Sequence, residues 1–209
     1  MHIKAILLPI EALSTVSTKD TINKALDIIE NNNFLSIPVV DNKEFIGFIS
    51  KKYIFETFFK SSDNDRVTFL QKPVKEFMKT KIPVLKENVL LDEAANIFLE
   101  GKVRFIPVVN DSDEFIGIIT QKEIFKTFRR IYGIKDPRIT IYTYDIKGNL
   151  AKITDIVSKN NGNITSIVQL DTEVMGLQEI SLRIRTSNID KIISRLKHHG
   201  FDVRKVISQ

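Results

Sequence analysis

Cysteine is absent from the chain, which removes disulfides, thiolate nucleophiles and thiolate metal sites together. Histidine is scarce: His2, His198 and His199 are the three, and the adjacent pair on a basic helix end reads as a partner for the helix dipole. No His-and-acid cluster has metal spacing, no glycine-rich phosphate loop ends in Lys-Ser or Lys-Thr, and no nucleophile motif is present. An enzyme is not expected, nor a metal or a resident cofactor. The apolar run in MHIKAILLPIEALSTV is far too short for a membrane span and has no small-residue cleavage site, so a cytoplasmic setting without membrane contact is expected. A formal charge of +5 over 209 residues invites a nucleic-acid reading, which needs clustering. The excess is +1 over residues 1–137 and +4 over 138–209, with no helix-turn-helix, zinc-finger or aromatic RNA-binding motif. Nucleic acid is therefore disfavoured as a partner.

What the chain does have is one stretch written twice. Residues 34–55 read FLSIPVVDNKEFIGFISKKYIF and residues 103–125 read VRFIPVVNDSDEFIGIITQKEIF. Ile37-Pro38-Val39-Val40 and Ile106-Pro107-Val108-Val109 are offset by 69, Phe45-Ile46-Gly47 and Phe115-Ile116-Gly117 by 70, so one residue was added in the turn between. A fixed-period self-match means one structural unit used twice. Each copy reads as a β-hairpin with a polar turn, followed by a helix that opens on Ser50 or Thr120. Ahead of each hairpin lies an amphipathic helix, carried by Ile22, Ala25, Leu26 and Ile29 in the first copy. Val89, Leu90, Ala94, Ile97 and Phe98 carry the second, with Gly101 as its C-cap. Polar residues from Ser61 form a loop, and Val67 to Lys79 reads as a linking helix broken at Pro73. Units of this size bury too little alone and should pack on each other.

Helix openings of this kind point a hydroxyl and free N–H groups outward and bind anions readily. Lys51, Lys52 and Lys122 follow at once, where the helix dipole gives a cation no reason to be. The pair of repeats resembles a tandem of CBS domains, the Bateman module. The carriers are the two IPVV strands, the two FIG strands, and the openings Ser50-Lys51-Lys52-Tyr53 and Thr120-Gln121-Lys122-Glu123. The resemblance implies two clefts. One, the expected nucleotide site, would join Ser14, Thr15, Val16, Leu35, Ser36 and Ile37 to Thr120, Gln121, Lys122 and Glu123. The other would join Val84, Arg104, Phe105 and Ile106, with Ile82 and Pro83, to Ser50, Lys51 and Lys52. The family's helix opening commonly carries an Asp that holds a nucleotide ribose. Tyr53 and Glu123 stand at that position here.

After Lys135-Asp136-Pro137 the pattern changes. Arg138 to Tyr142 alternates as a strand, Asn149 to Lys159 has a helical stripe, Ile164 to Leu170 and Gln178 to Arg185 make a strand pair, Ile189 to His199 a helix and Asp202 to Val206 a last strand. This βαββαβ order is the ferredoxin-like plan. Within it Asp145, Gly148 and Leu150, with Asn149 between, resemble the ligand loop of an ACT domain, in which glycine lets an amino acid approach the backbone at a subunit interface.

The expected fold class is thus α/β (α+β), with CBS repeats at 1–66 and 67–134 and an ACT domain at 138–209. A CBS pair followed by ACT resembles the acetoin-utilization regulators and the CBS proteins that bind cyclic di-AMP. That resemblance implies a cytosolic regulator sensing an adenine nucleotide, cyclic di-AMP being favoured because the ribose Asp is absent and lysines lie beside the helix openings. The ACT domain would dimerise the chain or hold a second ligand. An AMP or ATP sensor of acetoin-utilization type and a ligand-free interaction module are the alternatives. A homodimer and a regulated partner protein are expected as well.

Overall fold

The computed structural model of the chain describes residues 1–60, 65–101, 103–133 and 135–207. The loop beginning at Ser61 and the connecting residue Ile134 thus lie outside the described residues, the former up to Asn64. The chain divides into two compact units, Met1–Phe125 and Lys126–Gln209.

In the first unit both repeated stretches fold as hairpins. Strands β2 (Ser36–Asp41) and β3 (Glu44–Ser50) pair antiparallel, as do β5 (Phe105–Val109) and β6 (Phe115–Thr120). Each ladder slips once, between Val39 and Val40 and between Val108 and Val109. The first turn is Asn42-Lys43, with φ of 47° and 68°, the left-handed pair that a two-residue hairpin needs. The second hairpin spends its extra residue on a longer turn, where the Asn110 side chain accepts from the amides of Ser112 and Glu114 at 3.0 and 2.9 Å.

Helix α1 (Ile22–Asn31) is capped by Thr21, whose hydroxyl accepts from the Lys24 amide at 3.3 Å. It buries Ile22, Ala25 and Ile29. Its counterpart α4 (Leu91–Glu100) buries Leu91 and Ala94, while Leu90 is the exposed N-cap. Leu91, not Leu90, thus begins the buried stripe, which keeps Ala94 and the half-buried Ile97 and Phe98. Gly101 ends α4 in extended geometry, not left-handed. Helices α2 (Lys51–Lys60) and α5 (Gln121–Ile131) follow the hairpins, and the linking stretch makes α3 (Arg66–Leu70) and a turn of 3-10 helix at Val74–Glu76 before the short strand β4 (Leu85–Lys86), which runs parallel to β5.

The packing of the repeats is crossed. Short strand β1 (Leu8–Pro9) pairs with β6 of the second repeat, and the Ile3 amide donates to Val89 at 2.9 Å. In the same way the segment leading into the second repeat serves the first. Thr21 bridges Pro73, Phe48 bridges Lys79, and Phe69, Val74 and Phe77 join Ile22, Ile29, Ile37 and Ile49 in one core. Contacts thus run across the division at 66/67. Both strand glycines lie where the foreign segment crosses. A Cβ on Gly47 would stand 2.5 Å from the Lys79 carbonyl oxygen, and one on Gly117, at φ +152°, 2.2 Å from that of Leu8. Between the hairpins Phe45 and Phe115 meet at 5.5 Å and Phe48 and Phe105 at 6.0 Å, closing an apolar layer that neither repeat could close alone.

The second unit comprises β7 (Arg138–Tyr144), α6 (Asn149–Lys159), β8 (Asn163–Asp171), β9 (Leu177–Arg185), α7 (Ile189–His198) and β10 (Asp202–Ile207). The strands form one antiparallel sheet in the order β10-β7-β9-β8. Alternation sends Ile139, Ile141, Ile180, Leu182 and Ile184 to the side where α6 and α7 contribute Ile153, Ile156, Val157, Ile192 and Leu196. This is the ferredoxin-like arrangement.

Candidate functional site: a cationic cleft in the repeat pair

Strand β3 delivers Ser50 to the start of α2, where its hydroxyl accepts from the Tyr53 amide at 3.2 Å. Thr120 caps α5 in the same way through Glu123 at 3.3 Å. Each hydroxyl thus accepts from the first turn of its own helix. Beside Ser50 opens a cavity of about 440 Å³, within the range of small-molecule pockets.

Of the second residue set, Ser50, Lys52, Arg104 and Phe105 line it, together with Ile82. Lys51 instead reaches Glu30 at 2.7 Å, and that bond holds the Glu30 carboxyl below the usual carboxylate range. Val84 and Ile106 stand outside the lining, Ile106 being fully buried. From the first set, Ser36 lines this cavity, because it pairs with Ser50 across the hairpin.

The other members of the first set lie elsewhere. Val16 and Ile37 are buried core residues, and the Val16 backbone exchanges bonds with Pro38 and Val40. Ser14 and Thr15 are half-buried beside Val16, Leu35 is exposed, and its carbonyl accepts from the Lys51 amide at 3.4 Å. Gln121 and Lys122 are exposed on the first turn of α5, and Glu123 is half-buried there.

The remaining walls of the cavity are Phe48, Tyr53, Lys81 and Val103. Strand alternation puts Phe48 on the face of Ser50, so it was within reach of sequence reasoning. Lys81 was not, since the crossed packing brings it in. The lining carries three cations, Lys52, Lys81 and Arg104, and no carboxylate. Phe48 meets Tyr53 at 5.8 Å, and Lys79 lies 5.3 Å over the Tyr53 ring. Rings, cations and a capped helix start in one concavity suit a flat heterocycle bearing phosphate.

The sequence profile of the CBS domain matches residues 3–60 and 74–130, more than half of the chain. The chain belongs to the CBS-domain family. Its two matches make the tandem CBS pair, the Bateman module. Among solved structures similar to this CBS-domain protein is CbpB in complex with c-di-AMP, 26% identical with a TM-score of 0.56, the match covering 62% of this chain and 85% of that one. Among curated proteins, MJ1225 of Methanocaldococcus jannaschii is 29% identical over 123 residues, 54% of this chain and 44% of that protein. The inosine-5'-monophosphate dehydrogenase of the same organism is 32% identical over 124 residues, 59% of this chain and 23% of the enzyme. The CBS-domain chain therefore spans under half the length of these two curated relatives.

In the second unit of this CBS-domain protein, Asp145, Gly148, Asn149 and Leu150 line a cavity of about 170 Å³. Gly148 caps α6 at φ +93°, and the Asn149 side-chain Nδ2 donates to Thr143 Oγ1 and the Tyr144 carbonyl at 2.9 and 3.2 Å. Asn149 thereby stitches its own loop. Among the described residues no group of three His, Asp or Glu could hold a metal, and no helix is long and apolar enough to cross a membrane.

Proposed function

We propose that the chain is a cytosolic ligand-sensing regulator whose CBS pair takes an adenine nucleotide, with cyclic di-AMP the favoured ligand, in the cavity at Ser50. The observation that carries this reading is the three-cation, carboxylate-free lining beside a capped helix start. Phe48, Tyr53 and Phe105 offer faces or edges to adenine. Lys52, Lys81 and Arg104 answer phosphate, Arg104 by a two-pronged bond. Tyr53, at the position of the ribose-holding Asp, gives no carboxylate for a free ribose diol. A cyclic dinucleotide ties up its ribose 3'-oxygens in phosphodiesters and asks less of such a group. The c-di-AMP complex of the similar CbpB supports the same choice.

Isothermal calorimetry against AMP, ADP, ATP and cyclic di-AMP tests it. Binding of cyclic di-AMP is expected to be the tightest, and Arg104→Gln should weaken it by about 1.5–3 kcal/mol, the worth of a charge-assisted hydrogen bond. No heat with any of the four ends the reading, and AMP binding tighter than cyclic di-AMP reassigns the ligand. The ferredoxin-like unit acts in this proposal as an ACT domain that supports a homodimer or holds a second ligand at Asp145 and Gly148.

A further inference from the structure

The unit boundary at Phe125/Lys126 exposes a charge division that a cut at residue 137 hides. The first unit holds 16 Lys and Arg against 18 Asp and Glu, the second 15 against 8. The net charges are −2 and +7. Part of the second unit's excess converges on one cavity of about 450 Å³, lined by Lys126, Arg129, Arg130, Lys135 and Arg185 with Asp136 as its single acid. A helix C-terminus accounts for basic residues in the last turn of α5. It does not account for Lys135, which lies beyond the helix, or for Arg185, which comes from the end of β9.

A second cavity, of about 220 Å³, lies on the same sheet and brings Arg138 and Arg183 together with Ser166, Ser181 and Tyr132. Arg138 stands directly opposite Arg183 in the β7–β9 ladder, where like charges are destabilising. Its Nε is buried without a hydrogen-bond partner. Arg183 Nη1 donates to the Asp136 carbonyl at 2.6 Å, which ties this cluster to the rim of the first cavity. Like charges gathered this closely are relieved by an anion between them.

We propose that the second unit binds a small, multiply charged phosphate anion in the Arg129–Lys135–Arg185 cavity, independently of the nucleotide cleft. The guanidinium forks supply planar pairs of donors matched to phosphate oxygens. The concavity favours a compact oligophosphate, whether free or carried on a nucleotide, over an extended polyanion backbone, which would need a long basic track. Asp136 sits on the wall as the repulsive element. It is 3.5 Å from Arg185 Nε and holds that side chain at the rim.

The test titrates inorganic tripolyphosphate into the full chain by calorimetry at two salt concentrations. Arg129→Gln with Lys135→Gln, both on exposed side chains, should weaken binding by about tenfold or more, the scale of losing two charge-assisted contacts. Asp136→Asn should tighten it by about threefold, because a nearby negative charge is removed. Lys191→Gln with Lys197→Gln, on α7, should change nothing. Equal affinity in the Arg129/Lys135 variant overturns the proposal. So does an equal loss in the Lys191/Lys197 variant, which would mean diffuse attraction, or loss through Arg104→Gln alone, which would put the anion in the other unit. A single-stranded oligonucleotide that binds more than about tenfold tighter than tripolyphosphate would identify a nucleic-acid surface instead.

Discussion

At the scale of single residues, the glycines separate two physical demands that look the same in the sequence. Gly117 lies under the Leu8 carbonyl and at positive φ, whereas a Cβ on Gly148, at φ +93°, meets nothing within 4 Å. Gly117→Ala must therefore push backbone against backbone, and we expect a loss of about 2–4 kcal/mol in urea denaturation, as for other severe steric or strained substitutions. Gly148→Ala carries only the conformational cost, about 1–2 kcal/mol. Equal losses would show that crowding by the crossing strand is not what Gly117 relieves. The repeated FIG motif was plain in the sequence, but the reason for its glycine was not, because Leu8 lies far away along the chain. Asp136 makes a pH prediction. The Thr165 hydrogen bond first, and Arg185 after it, hold its carboxyl below the usual aspartate range. A depressed carboxyl contributes stability above its unfolded pKa, and that contribution disappears as pH falls through the folded value. The loss in stability between pH 5 and 3 should be smaller in Asp136→Asn than in the parent, and an identical acid limb would refute the assignment.

At the scale of elements, hairpins, helix starts and the βαββαβ order were legible because each rests on local pattern: alternation, caps, turn chemistry. Ser50, Lys52, Arg104 and Phe105 were grouped through the family resemblance and not through local pattern, and they line one cavity. The same resemblance grouped Lys51 with them, yet a helix turns about 100° per residue, and its side chain goes to Glu30 instead. The crossed packing was not legible, since it pairs residues by tertiary closure and not by period. It makes a distinct prediction. Deleting residues 1–9 removes Ile3, Ile6, and the β1 strand that pairs with β6. Hydrogen exchange should then rise in residues 105–120 before it rises in residues 36–50. Phe69→Ala should instead loosen the first repeat, by about 3–5 kcal/mol for a buried phenylalanine, because Phe69 packs edge-on to Phe58 and Phe77 at 4.9 and 5.1 Å. Faster exchange in the sequence-adjacent repeat in either variant would contradict the crossing.

At the scale of the whole molecule, the first unit leaves apolar side chains bare on its outer helices in a repeated pattern. Phe55 on α2 and Phe125 on α5 occupy equivalent positions, 70 residues apart, and are 41% and 66% exposed, while Phe59 and Leu99 are each 83% exposed. Single exposed apolar residues need no explanation, but several large ones on the outer helices usually mark an interface. The internal repeat suggests the occupant. A surface that presents the same ring on two equivalent helices is suited to a second copy of itself, since an isologous contact pairs each patch with its counterpart. We therefore expect a homodimer through α2 and α5, with a mass in light scattering near twice 24.0 kDa. Phe59→Glu combined with Phe125→Glu should return the chain to a monomer while the far-ultraviolet circular dichroism stays unchanged, because neither ring belongs to the buried core. If the parent is already a monomer at micromolar concentration, the exposed rings have another role. If the double variant remains a dimer, the association runs through other surfaces, of which the β8 edge of the second unit, with Ile167 and Leu170 exposed, is the next to be changed.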